Sequence, residues 1–461
     1  MRSVLLAPLA LLASSLAACG GRVAGSTPSE PLAPEAPIAF GASTEGALYV
    51  VVARPDTGAV APFGPPLPLS PASYELSTMH VSADGARVAV GVTPKVGAAS
   101  WTSLDSWVLL GDGARWQTIE HAQDLELSDA SDDLSLLVTM RACPPSSGTA
   151  DFAVSVVRDD GTHAFDDAPC TPGAPAAFIA SIEPTGGYFV ARTYDGALSL
   201  HPRDGAAVVL ATPAQQAIVG PSFATSLLLA DAPRARWIDT SGRPLTVPGW
   251  DRATSTPCGL QALDGGLFAL ADRALVRVAD LPAGVDPATV RGVRGEVVIT
   301  RADDETSYHA IDHAGATLAS YTPPPARSAP RDPGGTPQVI VGDFAWSPTA
   351  RDAWLLLSDD YETVRPDAEG ADVYERADDL WLVVDRAGTA RGQLLELRRG
   401  AGAGATSWPW REYVPSSTGA HVLFAEAGAL HAVDVDAGED RELASRFTIA
   451  PVPGTHRHAA K

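Results

Sequence analysis

The chain has 461 residues and a formal net charge of -22, from 33 Lys+Arg against 55 Asp+Glu, a balance that disfavours nucleic acid and a bare anionic bilayer as partners. Hydrophobic residues make up 45% of it, enough to bury a large core, and the length suits one large all-β unit. Lys95 and Lys461 are the only lysines, so nearly all positive charge is arginine, a compositional bias that points to no particular ligand.

Arg2 supplies a short positive start, Val4 to Leu12 form an apolar stretch interrupted by Pro8, and Leu16, Ala17, Ala18, Cys19 and Gly20 follow. A basic start, a short apolar core and small residues at the cut are the layout of an export signal, and the core is too short to span a bilayer. Leu16 to Cys19 resembles the lipobox of bacterial lipoproteins. The resemblance implies residues 1–18 as signal peptide and acylation of Cys19, palmitate among the chains, with the membrane engaged through that lipid. Several acyl chains hold far more firmly than one. An ordinary secretory signal cut near Ala18 is the alternative. Gly20, Gly21 and Arg22 lack the acidic residue that favours inner-membrane retention, so the expected address is the outer membrane, on its periplasmic or cell-surface side. Residues 19–37 read as the lipidated cysteine and a flexible tether, stiffened by Pro28, Pro31, Pro34 and Pro37.

From Ile38 on, short apolar strands alternate with Asp, Gly and Pro turns. The blocks in order are His80 to Val92, with the turn Ser82-Ala83-Asp84-Gly85; Leu125 to Met140; Phe178 to Leu200, with Pro184-Thr185-Gly186; and Ile218 to Thr240. Leu260 to Val278, with Asp264-Gly265-Gly266, Val290 to Leu318, Ile340 to Val384 and Tyr413 to Val435, with Ser416 to Gly419, complete the series. Asp and Gly suit these positions because tight hairpins demand left-handed backbone. A four-strand repeat at intervals of roughly 40 residues is the signature of a β-propeller blade. The predicted fold is all-β: a β-propeller over residues 38–450, eight blades favoured and seven possible, with a polar tail over 451–461. Two β-sandwich-like domains are the alternative. Ala47 to Ala53 is expected to close the ring by adding a strand to the last blade.

Ser82-Ala83-Asp84-Gly85 and Ser347-Pro348-Thr349-Ala350 make the blocks similar to the repeats of TolB-like and WD40-like propellers, in which a Ser-Pro-Asp-Gly turn precedes an apolar strand. The first departs from that pattern at one position and the second at two, so the resemblance implies a fold and no activity.

Cys143 and Cys170, each in a Pro-containing loop, are a candidate disulfide for an oxidising compartment, leaving Cys258 as an odd, buried thiol; a pairing of Cys258 with either is the alternative. Asp359, Asp360, Glu362, Asp367, Glu369 and Asp372 crowd a segment read as an acidic insertion, a calcium or partner loop without the spacing of a calcium site. No other cofactor is expected. His309 and His313 fall on one face if their strand continues, a weak metal pair. Trp408-Pro409-Trp410, in a Gly-rich connection, is a candidate recognition loop. No Gly-x-Ser-x-Gly elbow, His-Glu-x-x-His, phosphate loop or dinucleotide fingerprint occurs. The leading reading is a non-enzymatic envelope propeller that presents loops to an envelope protein or polysaccharide. A hydrolase or lyase with its site in the propeller channel is the alternative.

Overall fold

The computed structural model describes most of the chain between residues 37 and 453; the longer stretches outside the description are 96–103, 143–151, 167–176, 322–338, 342–353, 385–391 and 399–413, and between 339 and 398 it describes backbone alone. Strands dominate, and the helices among the described residues are two 3-10 turns, Trp250–Arg252 and Pro287–Thr289. No described helix is long and apolar enough to cross a membrane.

The described strands fall into nine four-stranded antiparallel sheets. The eight blocks marked by turns in the sequence are eight such sheets, the blades of a propeller: blade 1 over residues 74–122, blade 2 over 125–166, blade 3 over 177–211 and blade 4 over 218–245. Blade 5 covers 254–280, blade 6 covers 290–321, blade 7 covers 339–398 and blade 8 covers 414–443. The N-terminal segment departs from expectation. Leu48–Arg54 does not join the last blade; with Ile38–Ser43 and Ala59–Pro62 it builds a separate closing sheet, whose innermost strand is the C-terminal Thr448–Pro453. That strand runs past residue 450, where the polar tail was expected to begin, because Phe40, Ala42 and Ser43 pair with Pro453, Ile449 and Thr448. A succession of sheets, each packed on the next and joined across the chain ends, is a ring and not two sandwich domains.

The core is a series of seams between neighbouring sheets. Ala39 and Val50 of the closing sheet pack on Leu76, Met79 and Val90 of blade 1, and Val108 and Leu110 of blade 1 on Leu125, Leu127 and Leu137 of blade 2. The next seams join Val138 and Val156 to Ile182 and Phe189, Val190 and Leu200 to Leu227 and Ile238, and Trp237 to Leu270 and Leu275. Leu260 and Leu267 then meet Val290 and Val298, and Leu423 and Leu430 of blade 8 return to Phe40 and Val51. The sheets between these seams are thus apolar on both faces, which accounts for runs such as Val88-Ala89-Val90-Gly91-Val92, buried throughout.

A buried polar residue ends the innermost strand of several blades: Ser82, Ser131, Glu183, Ser222 and Ser416 are all under a tenth exposed. The Ser82 hydroxyl accepts from Arg87 N at 2.9 Å, that of Ser131 from Leu136 N at 3.0 Å and that of Ser416 from His421 N at 3.1 Å. Glu183, where a serine stands in blades 1, 2, 4 and 8, uses its carboxylate on Thr185 N and Gly187 N. The turns also join one another: Ala83 N donates to Asp132 O at 2.8 Å and Asp132 N to Pro184 O at 2.7 Å. Next to these turns a β-bulge interrupts the two innermost strands of blades 1, 2, 3, 4 and 6, between Leu76 and Thr78, Leu127 and Asp129, Ile179 and Ser181, Val219 and Ser222, and Val290 and Gly292. A bulge re-aims the strand that carries it.

Gly186 has φ +68, and a Cβ there would run into Ser135 Oγ and lie 3.3 Å from Asp133 Oδ1 and 3.4 Å from Ser131 Oγ, all from the neighbouring blade. Gly186→Ala combines left-handed strain with a clash against the Ser135 hydroxyl, which must rotate away, so a loss on the order of 1–3 kcal/mol is expected. Urea unfolding checks this; an unchanged midpoint would show that the two turns are not locked together.

Candidate functional site

Two turns meet at the seam between blades 1 and 2. In blade 1, Asp112 follows the strand Ser106–Gly111, and its Oδ1 accepts from both Ala114 N and Arg115 N at 2.9 Å. In blade 2, Asp159, Asp160 and Gly161 connect Phe152–Arg158 to His163–Asp166. Asp160 Oδ1 accepts from Thr162 N at 2.8 Å and from the Thr162 hydroxyl at 2.6 Å. The amides of Arg115 and then Ala114 hold the Asp112 carboxyl below its usual range, and the Thr162 hydroxyl and amide do the same for Asp160. Both acids are therefore ionised at neutral pH and tied to their turns by one oxygen.

Between the turns lies an open groove of about 350 Å³, lined by Arg87, Leu110, Gly111, Asp112, Arg115, Gln117, Asp159 and Asp160. Arg87 spans the seam beneath it, with one nitrogen 3.1 Å from Asp159 Oδ2 and the other donating to Asp133 O at 3.2 Å. Gln117 Nε2 donates to Asp159 O at 3.3 Å. Arg115, with 81% of its side chain exposed, stands 3.8 Å from Asp112 Oδ2 and is free to swing. Further along the same seam a smaller polar chamber of about 40 Å³ is lined by Glu120, Thr139, Arg141, Ser155 and His163, with room for a water molecule. Its buried Thr139 donates to Glu120 at 2.8 Å.

A catalytic triad needs a nucleophile, a base and an orienting group in one chain of contacts. Ser199 Oγ lies 2.9 Å from His201 Nε2 and Ser320 Oγ 2.8 Å from His309 Nδ1, and neither imidazole has a carboxylate partner among the described residues. His121 and His431 have one each, Asp105 at 3.0 Å and Asp440 at 3.1 Å, and these imidazoles lie on aromatic faces, Trp107 and Phe424. Phe189 likewise covers His201, so an aromatic-histidine stack recurs in blades 1, 3 and 8. The pattern is packing between strands rather than an assembled triad.

The sites expected from sequence fare unevenly. Cys19, Cys143, Cys170, Asp367, Glu369, Trp408 and Trp410 lie outside the described residues. Cys258 is buried, its Sγ 3.2 Å from Thr256 Oγ1. Asp359, Asp360 and Glu362 stand on the strand Trp354–Pro366, paired with Asp372–Val384, so this part of the acidic segment is a ribbon of two long strands and not a loop. Its register sets Asp359 opposite Asp378 and Glu362 opposite Glu375. The face shared by His309 and His313 is not formed: the strand ends at Ile311, and Asp312 opens a turn in which Gly315 N returns to Asp312 O. No metal-sized group of His, Cys, Asp and Glu occurs among the described residues. The groove residues went unread as a site because Asp112 and Asp160 look like ordinary turn acids; only the stacking of two blades brings them together.

No protein-family model matches the chain, and no curated protein matches it. Among solved structures it is similar to the C-terminal WD40 domain of Sif2, at 9% identity and TM-score 0.36, over 86% of this chain and 91% of that one. It is similar to prolyl oligopeptidase B from Galerina marginata, at 11% identity and TM-score 0.32, over 96% of this chain and 54% of that one. Dipeptidyl peptidase 4 from Porphyromonas gingivalis gives 10% identity and TM-score 0.37, over 87% and 57%. The chain thus spans about half the length of these peptidases. The assignment to the propeller class rests on the sheet topology itself.

His201 provides a test of the packing reading. Burial beside Phe189 and Phe165 pushes its pKa below the ordinary 6.5, so the unfolded chain takes up the proton first as pH falls. Its contribution is fully present above pH 6.5 and is lost as pH drops toward the folded value. His201→Phe is therefore expected to gain stability relative to the parent between pH 7.5 and roughly pH 5, measured as the difference in urea midpoint. A constant difference across that range would show that the imidazole titrates as in water.

Proposed function

We propose that this chain is a cell-envelope lipoprotein whose propeller binds a protein or polymer partner without chemical turnover. The observation that carries the binding reading is the groove of about 350 Å³ at the seam of blades 1 and 2, whose lining includes no serine, cysteine or histidine. General acid catalysis by a carboxyl group at neutral pH requires a raised pKa, and those of Asp112 and Asp160 are lowered. Fixed, ionised groups on rigid turns favour recognition instead. Attachment through Cys19, with the outer membrane as the address, is supported by the lipobox-like Leu16-Ala17-Ala18-Cys19.

The test is capture from detergent-solubilised envelope, with the parent chain and a Cys19→Ser variant as bait. The parent is expected in the membrane fraction and the variant in the soluble one, with the same partner recovered on both. Recovery of no partner by either form would refute the binding reading. A variant still in the membrane fraction would refute the lipid.

A hydrolase reading has one specific observation in its favour, the Ser199 hydroxyl 2.9 Å from His201. It requires Ser199→Ala to abolish hydrolysis of chromogenic ester, peptide or glycoside substrates by the purified chain. Absence of turnover in the parent across that panel is the outcome expected here.

A further inference from the structure

We infer that the ring turns toward the membrane the side that carries the groove between blades 1 and 2. The inference rests on attachment through Cys19 and adds a direction to it. In blade 1 the turns 82–87 and 112–115 lie at one end of the sheet, because Val88 pairs with both Val81 and Gly111. In blade 2 the turns 131–135 and 159–162 share an end in the same way, Leu137 facing Ala130 and Leu136 facing Arg158. Hydrogen bonds keep these ends on one side of the ring: Ala83 to Asp132, Asp132 to Pro184, Tyr188 to Phe223 and Ser226 to Asp272. The closing sheet has a counterpart at 55–58, between Leu48–Arg54 and Ala59–Pro62. Arg441, on the outermost strand of blade 8, donates to Pro55 O at 3.0 Å, and a Cβ added at Gly58 would lie 3.7 Å from Leu443 Cδ2 of that strand. A Cβ at Gly161 would likewise lie 3.4 Å from Ile119 O of blade 1, and one at Gly242 would lie 3.5 Å from Val208 Cγ1 of blade 3. One contact, a turn on the outermost strand of the preceding sheet, thus repeats at three seams and places 55–58 on the groove side. The other end of the closing sheet meets the opposite side, where Ile449 N donates to Gly428 O in the turn between the two middle strands of blade 8. Ile38 pairs with Ala53 and Phe40 with Pro453, so the chain enters the ring and leaves it on the groove side.

Residues 20–37 join Cys19 to the ring, and a coil of that length has a relaxed reach of about 25 Å. Turning the opposite side to the bilayer would send this segment along the closing sheet, roughly 20 Å for strands such as Ile38–Ser43 and Leu48–Arg54, and past two further strands at about 5 Å each. That detour exhausts the relaxed reach before the bilayer is met. Exit from the groove side uses none of it. A net charge of -22 keeps the ring from lying flat on an anionic surface, so the groove side faces the bilayer across a gap. A partner that uses the groove meets the ring from that gap.

Energy transfer to the membrane surface tests the direction. A coumarin amino acid replaces one exposed residue at a time in the full-length lipidated chain, Thr57 or Ala114 on the groove side and Glu45 or Gln123 on the other. The last two lie beside the pairs Ser43–Leu48 and Ser106–Ala122, at the far ends of the closing sheet and of blade 1. The chain is reconstituted in phosphatidylcholine liposomes whose headgroups carry an acceptor dye. With the two sides about 20 Å apart, transfer from positions 57 and 114 is expected to exceed that from 45 and 123 about twofold. Equal transfer from both sides, or the reverse order, would overturn the inference while leaving the lipid in place. A difference at the closing sheet that is absent at blade 1 would also overturn it, since the ring would then stand on its edge. A chain that fails to float with the liposomes would refute attachment through Cys19, and the inference with it.

Discussion

The pairing of Thr448–Pro453 with Ile38–Ser43 is the constraint on which the ring depends. Strands from opposite ends of the chain complete one sheet, so backbone hydrogen bonds tie the end of the chain to its beginning. The seam beside it is apolar on both sides, with Phe40, Ala42 and Ile449 of the closing sheet against Leu423 and Leu430 of blade 8. Closing a loop of this length costs only a little more than closing a short one, since the cost rises with the logarithm of length. Once closed, every sheet has a neighbour on each side. An apolar residue on either face is then an asset, where in an open stack the end sheets would expose it.

Side-chain burial alone does not set the angle between blades; the turns do. Ser82, Ser131, Glu183 and Ser416 pin the start of the second strand to the end of the first, and the bonds from Ala83 to Asp132 and from Asp132 to Pro184 step from blade to blade. Tyr188 continues the series, its hydroxyl donating to Phe223 O at 2.8 Å and lying 3.1 Å from Ser226 O of blade 4, and burial pushes its pKa well above the ordinary phenol value. Ser226 in turn donates to Asp272 of blade 5 at 2.6 Å. Adjacent turns are thereby held at fixed separations, and the groove between blades 1 and 2 inherits its rigidity from that lattice.

Turns held in this way restrict what chemistry the groove can perform. A site for acid-base chemistry needs groups pushed away from their ordinary protonation state in the useful direction. The acids at the groove are pushed the other way by turn amides and a hydroxyl, and the serine-histidine contacts of blades 3 and 6 each lack a third member among the described residues. Charge fixed in position favours recognition by complementarity.

Much of the fold was legible in the chain itself. Turn acids and glycines such as Asp264-Gly265, with φ of 48 and 74, announce a tight hairpin locally, and apolar strands between them set the repeat, because both depend on neighbours a few residues apart. The buried hydrogen-bonding role of Ser82 was half visible in Ser82-Ala83-Asp84-Gly85; that of Glu183 was not, since a glutamate reads as a surface residue until its partners are known. Closure was misassigned because the pattern of Ala47 to Ala53 records that it is a strand and carries no information about which strand it pairs with. Charge density marks the acidic segment as an insertion in one blade, but the pairing of Asp359 with Asp378 belongs to the ribbon and to no local pattern. Asp112 and Asp160 became a site only in three dimensions. Sequence determined the repeat, the turns and the lipobox-like Cys19, all of them local patterns; tertiary structure decided closure and the groove, which arise from contacts between residues distant along the chain.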